Sequence, residues 1–203
     1  SLHEGFQGRS KQIILLGDSI FDNEKYVPEN KSIESLLKER KDSVMVVAKT
    51  GSKVTNLDGQ FNKILKSDHF NSKDVYMFIS VGGNDILTDR WPQLDSVGYS
   101  SDENLKRLFK NYSDNILRLK NRFPEARLFL STIYFPTDKI YHKYYKNIKR
   151  WNTMVREFGK KYNIPLFEVD QLLKNPDDFT RGIEPSVKGS KIIVSAIEKK
   201  MMV

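Results

Sequence analysis

The feature that most limits how this chain can fold is its alternation of short apolar runs with segments of helical length. The runs are rich in β-branched, leucine and aromatic residues, and there are five, at residues 12–16, 44–48, 75–80, 127–133 and 165–169. Strands joined through helices pair in parallel, because each connection must cross back over the sheet. Helices then cover both faces, which fits strands that are apolar at nearly every position. The pattern predicts an α/β fold built on a five-stranded parallel sheet.

The segments between the runs contain helix start and stop signals. Ser32 precedes an apolar-periodic stretch and is a candidate N-cap. A long amphipathic pattern covers residues 102–122, and Pro124 ends it. Further helices are predicted at 142–162 and 188–201.

Composition limits the class of protein. The 203 residues contain no linker-like stretch, so we expect one domain over residues 1–203. There is no cysteine, which excludes disulfides and thiolate chemistry. The longest apolar runs are of strand length, so we expect no membrane span. The first residues contain no apolar stretch of the signal-peptide type, so a cytoplasmic location is the default expectation, with secretion if a leader has been removed.

The net charge of +8 raises nucleic acid as a partner, because lysine and arginine bind phosphates. The densest basic region interleaves cations with aromatic residues. However, its apolar positions recur every three or four residues, at Tyr141, Tyr145, Ile148, Asn152, Val155, Phe158 and Tyr162. This spacing is typical of a helix that faces the core, with its cations in solvent. We therefore do not expect nucleic acid to be the partner.

Polar and small residues follow the first three runs, where ligand sites lie in open parallel sheets. The sequence Gly-Asp-Ser at 17–19 follows the first run and would place the Ser19 hydroxyl at this edge. Acyl transfer from a serine also needs donors for the oxyanion. The backbone N–H of Gly51, after the second run, and the side-chain amide of Asn84, after the third, are candidates.

In order and spacing, "GDSI" at 17–20, Gly51 and "GGND" at 82–85 resemble the first three sequence blocks of the SGNH (GDSL-type) hydrolases. The segment "GIEPSVKGSKIIVSAI" resembles the last block of that superfamily. The resemblance implies a flavodoxin-like three-layer α/β/α sandwich. It also implies hydrolysis or transfer of ester and acetyl groups without a metal or cofactor. Ser19 would be the nucleophile, and its own N–H, Gly51 and Asn84 would form the oxyanion hole.

The last block departs from the family pattern Asp-x-x-His-Pro. Arg181 occupies the position of the aspartate and Glu184 that of the histidine. An unperturbed glutamate has a pKa of about 4.3, against about 6.5 for histidine, so it is a poorer proton acceptor near neutral pH. Burial would raise that pKa, and an ion pair with Arg181 would lower it. One hypothesis is therefore an enzyme in which Glu184 serves Ser19 directly or through water.

A second candidate base is a histidine elsewhere in the chain. Of His3, His69 and His142, only His142 follows a strand at the expected edge of the sheet. The alternative function is a catalytically impaired relative that binds an acyl or glycan ligand in the same pocket. Either hypothesis implies a small ester or acylated compound as the partner and leaves the oligomeric state open. Trp91 and Tyr99 are candidate rim residues.

Overall fold

The computed structural model describes residues 11–40, 42–67, 74–87 and 102–202. The strands are β1 (Lys11–Gly17), β2 (Ser43–Val46), β3 (Asp74–Ser80), β4 (Arg127–Ser131), β5 (Leu166–Phe167), β6 (Phe179–Thr180) and β7 (Glu184–Pro185). The helices are α1 (Ile33–Glu39), α2 (Leu57–Leu65), α3 (Gly83–Leu87), α4 (Asp102–Arg122), α5 (Tyr145–Tyr162), α6 (Val169–Leu172) and α7 (Val187–Met201). His3, His69, Trp91 and Tyr99 lie outside the described residues.

Five strands form one parallel sheet in the order β2-β1-β3-β4-β5, which confirms the predicted α/β class. Alternate residues of β1 point to opposite faces. Ile13 and Leu15 pack in a cluster with α1 and α7, while Ile14 and Leu16 pack with α2, α4 and α5. Two helical layers therefore enclose the sheet. The polar residues that could perform chemistry are confined to its carboxyl edge, where the strands end.

The strands predicted at 127–133 and 165–169 end early, and so does the one predicted at 44–48, which ends at Val46. The predicted strand at 127–133 ends at Ser131. Beyond it, the Asn152 side chain accepts a hydrogen bond from the N–H of Ile133 at 2.8 Å and donates one to its carbonyl at 2.7 Å. The predicted strand at 165–169 ends at Phe167, since Val169 begins α6 and is buried there. Continuous apolar runs give no signal for these endings.

Helix boundaries follow the predictions at most positions. The Ser32 side chain caps α1 by accepting a hydrogen bond from the N–H of Ser35 at 3.1 Å. The predicted helix at 142–162 begins later, at Tyr145, and a 3-10 helix at Lys139–Tyr144 precedes it. Within the described ranges, no helix combines the length and apolar character needed to cross a membrane.

Candidate active site

The turn that carries Ser19 follows directly from the steric demands of Gly17. Gly17 has φ +120°, and a Cβ atom there would lie 1.7 Å from the carbonyl oxygen of Ser80 on β3. Only glycine fits such an approach. The Gln60 side chain accepts from the N–H of Gly17 at 2.8 Å and donates to its carbonyl at 2.9 Å. The chain therefore leaves β1 sharply, and Ser19 stands at the edge of the sheet.

Asp18 stabilises the turn from inside it. The N–H of Asp18 donates to Ser80 at 3.0 Å, and its Oδ1 accepts from the N–H of Ile20 at 3.1 Å. Asp85 acts similarly in the next loop, where its Oδ2 accepts from the N–H of Val54 at 3.0 Å. Both bonds are the loop-orienting contacts that short acidic side chains make.

Ser19 opens into a small pocket at the carboxyl edge, with a cavity of about 30 Å³. Its walls come from the ends of β1, β3 and β4 and from the β6–β7 hairpin. They are formed by Asp18, Ser19, Ile20, Ser80, Gly83, Asn84, Leu87, Ile133, Tyr134, Ile183 and Glu184. Ser19 itself is 7 % exposed. The structure therefore brings together three of the sequence-predicted residues, Ser19, Asn84 and Glu184.

A tight hairpin turn presents Glu184 to this pocket. Arg181 and Gly182 both have positive φ, at 55° and 71°, and the N–H of Ile183 donates to Thr180 at 3.3 Å. Positive φ at both central residues is the signature of a type I′ turn, which suits a two-stranded hairpin. The hydroxyl of Tyr134 donates to the carbonyl of Ile183 and fixes the hairpin against the end of β4.

The carboxyl of Glu184 lies beside the Ser19 hydroxyl. Burial raises the pKa of Glu184 above its usual value of 4.5, while a hydrogen bond from Ser19 and the charge of Arg181 act to lower it. Oε2 of Glu184 is buried and has no hydrogen-bond partner among the described residues. A carboxylate in this position has a lone pair available and a higher proton affinity than one in water.

Asp18 is the second perturbed carboxyl of the pocket. Burial raises the pKa of Asp18 to about 8, the bond from Ile20 opposes the shift, and the negative charge of Glu184 adds to it. In the adjoining loop, burial raises the pKa of Asp85 to about 6, against the hydrogen bond from Val54. The pKa of Asp18 therefore lies above neutral pH, which favours the protonated form of this carboxyl.

The candidate oxyanion donors lie on neighbouring loops. Asn84 lines the pocket, and its Nδ2 donates to the carbonyl of Ser52 at 3.0 Å, which ties the loop after β3 to the loop after β2. Gly51 has φ +81° and is exposed, and it is not among the pocket walls. Its loop is held by Thr50, whose N–H donates to Asp22 Oδ2 at 2.7 Å. The N–H groups of Ser19 and Gly51 form no hydrogen bond within the described residues.

His142, the alternative base, stands apart from the pocket. It is exposed on the 3-10 helix, and its ring centroid lies 4.8 Å from that of Tyr145. Tyr134 and Gln60 were missed as site residues. Tyr134 follows β4 directly and could have been found by position, whereas the contact of Gln60 with Gly17 depends on how α2 packs.

In the described part of the chain, no group of three or more His, Asp or Glu side chains is arranged to hold a metal ion.

The sequence matches the model of the GDSL-like Lipase/Acylhydrolase family over residues 15–192. No curated protein matches the chain significantly in sequence. Among solved structures, a member of the lipolytic protein G-D-S-L family from Veillonella parvula has a TM-score of 0.69 and 15% identity, with 93% of this chain and 97% of that chain covered.

Two enzymes have the same fold. The psychrotrophic esterase EstA from a Pseudoalteromonas species, solved with monoethylphosphonate as inhibitor, has a TM-score of 0.68 and 13% identity, over 95% of this chain and 97% of that chain. Axe2, an acetylxylan esterase from Geobacillus stearothermophilus, has a TM-score of 0.65 and 16% identity, over 97% and 96%. At these identities the likeness is one of fold.

Proposed function

The chain belongs to the GDSL-like lipase/acylhydrolase family, and on that premise we propose that it is an ester hydrolase with Ser19 as nucleophile and Glu184 as proton acceptor. The observation that carries the proposal is that Ser19 and Glu184 line the same small pocket, where the Ser19 side chain acts to lower the pKa of Glu184. A nucleophile within hydrogen-bond reach of a base is the arrangement that serine hydrolysis requires. Asp18 is the other carboxyl among the described walls, and its Oδ1 is engaged by the N–H of Ile20 within the turn.

The reaction proceeds in two steps. Ser19 Oγ attacks the ester carbonyl and its proton passes to Glu184, which then protonates the departing alcohol. Water attacks the resulting acyl-serine, Glu184 takes the proton of that water, and Ser19 is regenerated. The oxyanion formed in each step accepts hydrogen bonds from the N–H groups of Ser19 and Gly51 and from the Asn84 amide. Such preorganised donors supply about 3–4 kcal/mol each.

Glu184 is suited to this role by its surroundings. Burial raises its pKa and so brings its proton affinity closer to that of the histidine it replaces. Its buried Oε2 has no hydrogen-bond donor among the described residues, which leaves it available for a hydroxyl or a water. Arg181 opposes the shift, but it is exposed, and solvent screens its charge.

The pocket dimensions favour a short acyl group. The cavity of about 30 Å³ holds only one or two water-sized groups. Ile20, Leu87 and Ile133 supply its apolar side, against which a methyl group would pack. The acetylxylan esterase with the same fold removes a group of this size, and we propose acetyl esters as the first substrates to test.

A fluorophosphonate probe with intact-mass detection tests the nucleophile. Ser19 Oγ attacks phosphorus and fluoride leaves, so an activated serine gains the phosphonyl mass. EstA is inhibited by a phosphonate, which supports this class of probe. We expect one adduct on the wild type and none on Ser19→Ala, with Ser113→Ala, a half-buried serine on α4, labelled like the wild type. A folded wild type that resists labelling would contradict the proposal.

A second candidate is a ligand-binding relative without turnover. The replacement of the histidine and aspartate of the family by Glu184 and Arg181 favours it. In that case the unpartnered Oε2 of Glu184 would accept a hydrogen bond from a ligand hydroxyl. The labelling experiment separates the two candidates, because a binding protein has no need of an activated Ser19.

A further inference from the structure

The positive charge of this protein is concentrated in one segment. Residues 138–161 contain eight lysine and arginine residues and only two acidic ones, Asp138 and Glu157. Most of the net charge of +8 therefore comes from the 3-10 helix at Lys139–Tyr144 and from α5. The apolar side of α5 is buried in the core, so these cations lie on its outer side.

Several cations elsewhere on the surface form ion pairs with acidic neighbours. The pairs are Lys38–Glu34, Arg40–Glu198, Lys110–Asp114, Arg118–Asp58 and Lys188–Asp177. By contrast, Lys139, Lys146 and Lys149 are exposed and form no ion pair among the described residues. We call these three residues the basic face. Its charge is available to an anion from outside the chain.

The basic face begins close to the pocket, at Lys139. The 3-10 helix follows the pocket residues Ile133 and Tyr134 at the end of β4. The N–H groups of Thr137 and Asp138 both donate to the carbonyl of Gly182, at 3.1 and 3.3 Å. Gly182 lies in the turn that presents Glu184. The start of the basic face is therefore fastened to the hairpin that carries the candidate base.

Arg181 continues the positive surface on the hairpin itself. It is exposed, and its guanidinium carbon lies 5.6 Å from the ring centroid of Tyr26. It forms no ion pair among the described residues. Arg181 therefore adds a positive charge to the turn that presents Glu184.

The type of anion follows from what surrounds the lysines. Ile140 is the one large apolar residue of this surface that is well exposed, at 63%, which is too little for insertion into a lipid layer. Tyr145 packs against Phe135 and His142 and is not free to stack on bases. The position of the basic face beside the pocket instead favours a polymeric anion that is itself the substrate.

We propose that the basic face binds an anionic polymer or oligomer that carries the ester, so that the substrate of Ser19 is an acylated polyanion with carboxylate or phosphate groups. This inference rests on the proposed hydrolase function. The lysines hold the anionic units next to the ester, and the acyl group enters the pocket. Binding of this kind weakens with salt, because the lysines release counterions on contact.

The test compares kcat/KM for acetylated polygalacturonate with that for acetylated xylan of the same acetyl content. The wild type should prefer the charged polymer at low salt. In the triple variant Lys139→Gln/Lys146→Gln/Lys149→Gln we expect the ratio of the two kcat/KM values to fall about tenfold. We expect the same fall for the wild type when salt is raised from about 50 to 200 mM. A matched control is Lys63→Gln/Lys66→Gln/Lys199→Gln, three exposed lysines at the opposite edge of the sheet, which should keep the preference. Polygalacturonate and polyphosphate are then compared as competitors of the charged substrate. The stronger competitor shows whether the basic face binds carboxylate or phosphate groups.

Equal rates on both polymers in all three proteins would overturn the inference. Tighter binding to duplex DNA or to vesicles with anionic lipid, without a preference between the polymers, would assign the basic face to those partners instead. A wild type that fails to hydrolyse p-nitrophenyl acetate contradicts the proposed function. In that event, titration of the wild type and the triple lysine variant with polygalacturonate still tests whether the basic face binds a polyanion. Equal affinity of the two proteins for polygalacturonate would overturn the inference.

Discussion

The turn that carries Ser19 and the hairpin that carries Glu184 meet in one pocket, yet they are held in place differently. At Ser19 the backbone is fixed by the close approach of Gly17 to Ser80 and by two hydrogen bonds between Gly17 and the Gln60 side chain. At Glu184 the carboxyl has a contact to Ser19 and one buried oxygen without a partner. Steric contacts fix the backbone of the turn that carries Ser19, whereas electrostatic interactions set the pKa of Glu184 on the hairpin.

This difference explains how the turn of Ser19 can keep the family motif while the hairpin of Glu184 departs from it. A different residue at position 17 would collide with the neighbouring strand. A different residue at position 184 changes the proton affinity in the pocket but leaves the hairpin turn, set by residues 181 and 182, in place. The comparison predicts that substitutions at the first end affect stability and those at the second affect rate and its pH dependence.

The largest expected effect is on stability, in Gly17→Ala. The added Cβ would lie 1.7 Å from the carbonyl oxygen of Ser80, at a φ of +120°. We expect a loss of about 3–4 kcal/mol in the free energy of unfolding, measured by urea denaturation. The control is Gly59→Ala in α2, where a Cβ meets nothing within 4 Å. It should stabilise the protein by about 0.5–1 kcal/mol, and similar values for both variants would remove the steric account.

The second prediction concerns rate. Glu184→Gln keeps the shape of the side chain but removes the proton acceptor, so kcat for p-nitrophenyl acetate should fall about 10²–10⁴-fold. Glu157→Gln, an exposed glutamate on α5, is the matched control and should hydrolyse at the wild-type rate. His142→Ala should also retain the rate, because that ring lies outside the pocket. A large loss in His142→Ala with little in Glu184→Gln would reverse the assignment.

The third prediction concerns the pH dependence of stability. Asp18 has a folded-state pKa of about 8 and an ordinary pKa of 3.8, so the folded state holds a proton that the unfolded state releases between these values. The free energy of unfolding therefore decreases as pH rises from about 4 to 8 and levels off above. Asp18→Asn keeps the acceptor for Ile20 and should flatten this slope. Denaturation at pH 5 and pH 8 measures it, and an unchanged slope would show that Asp18 is not the cause.

The smallest effect is expected for Arg181→Gln. Arg181 lowers the pKa of Glu184, so its removal should move the acid limb of the pH–rate profile to higher pH. Arg181 is exposed, so the shift should shrink as salt is added. An acid limb that stays in place at low salt would mean that Arg181 does not act on Glu184.

The sequence indicated much of this architecture, because strand runs and glycine positions have local causes. The parallel sheet and the place of Ser19 followed from apolar runs and from Gly17, whose need for glycine is steric. The contacts of Gln60 with Gly17 and of Asn152 with Ile133 were not visible, since each joins residues distant in sequence through the packing of a helix. The pKa of Glu184 was equally out of reach, because it depends on burial by residues from several strands.

The most direct test of the central claim, that Glu184 activates Ser19, is the pH profile of Ser19 labelling by a fluorophosphonate. In the wild type the labelling rate should rise with pH through a limb whose midpoint lies above 4.5, the usual pKa of glutamate, because Glu184 must be ionised to accept the proton. In Glu184→Gln that limb should disappear and labelling should be slow at every pH from 5 to 8. Identical rates and profiles in the two proteins would show that another group takes the proton.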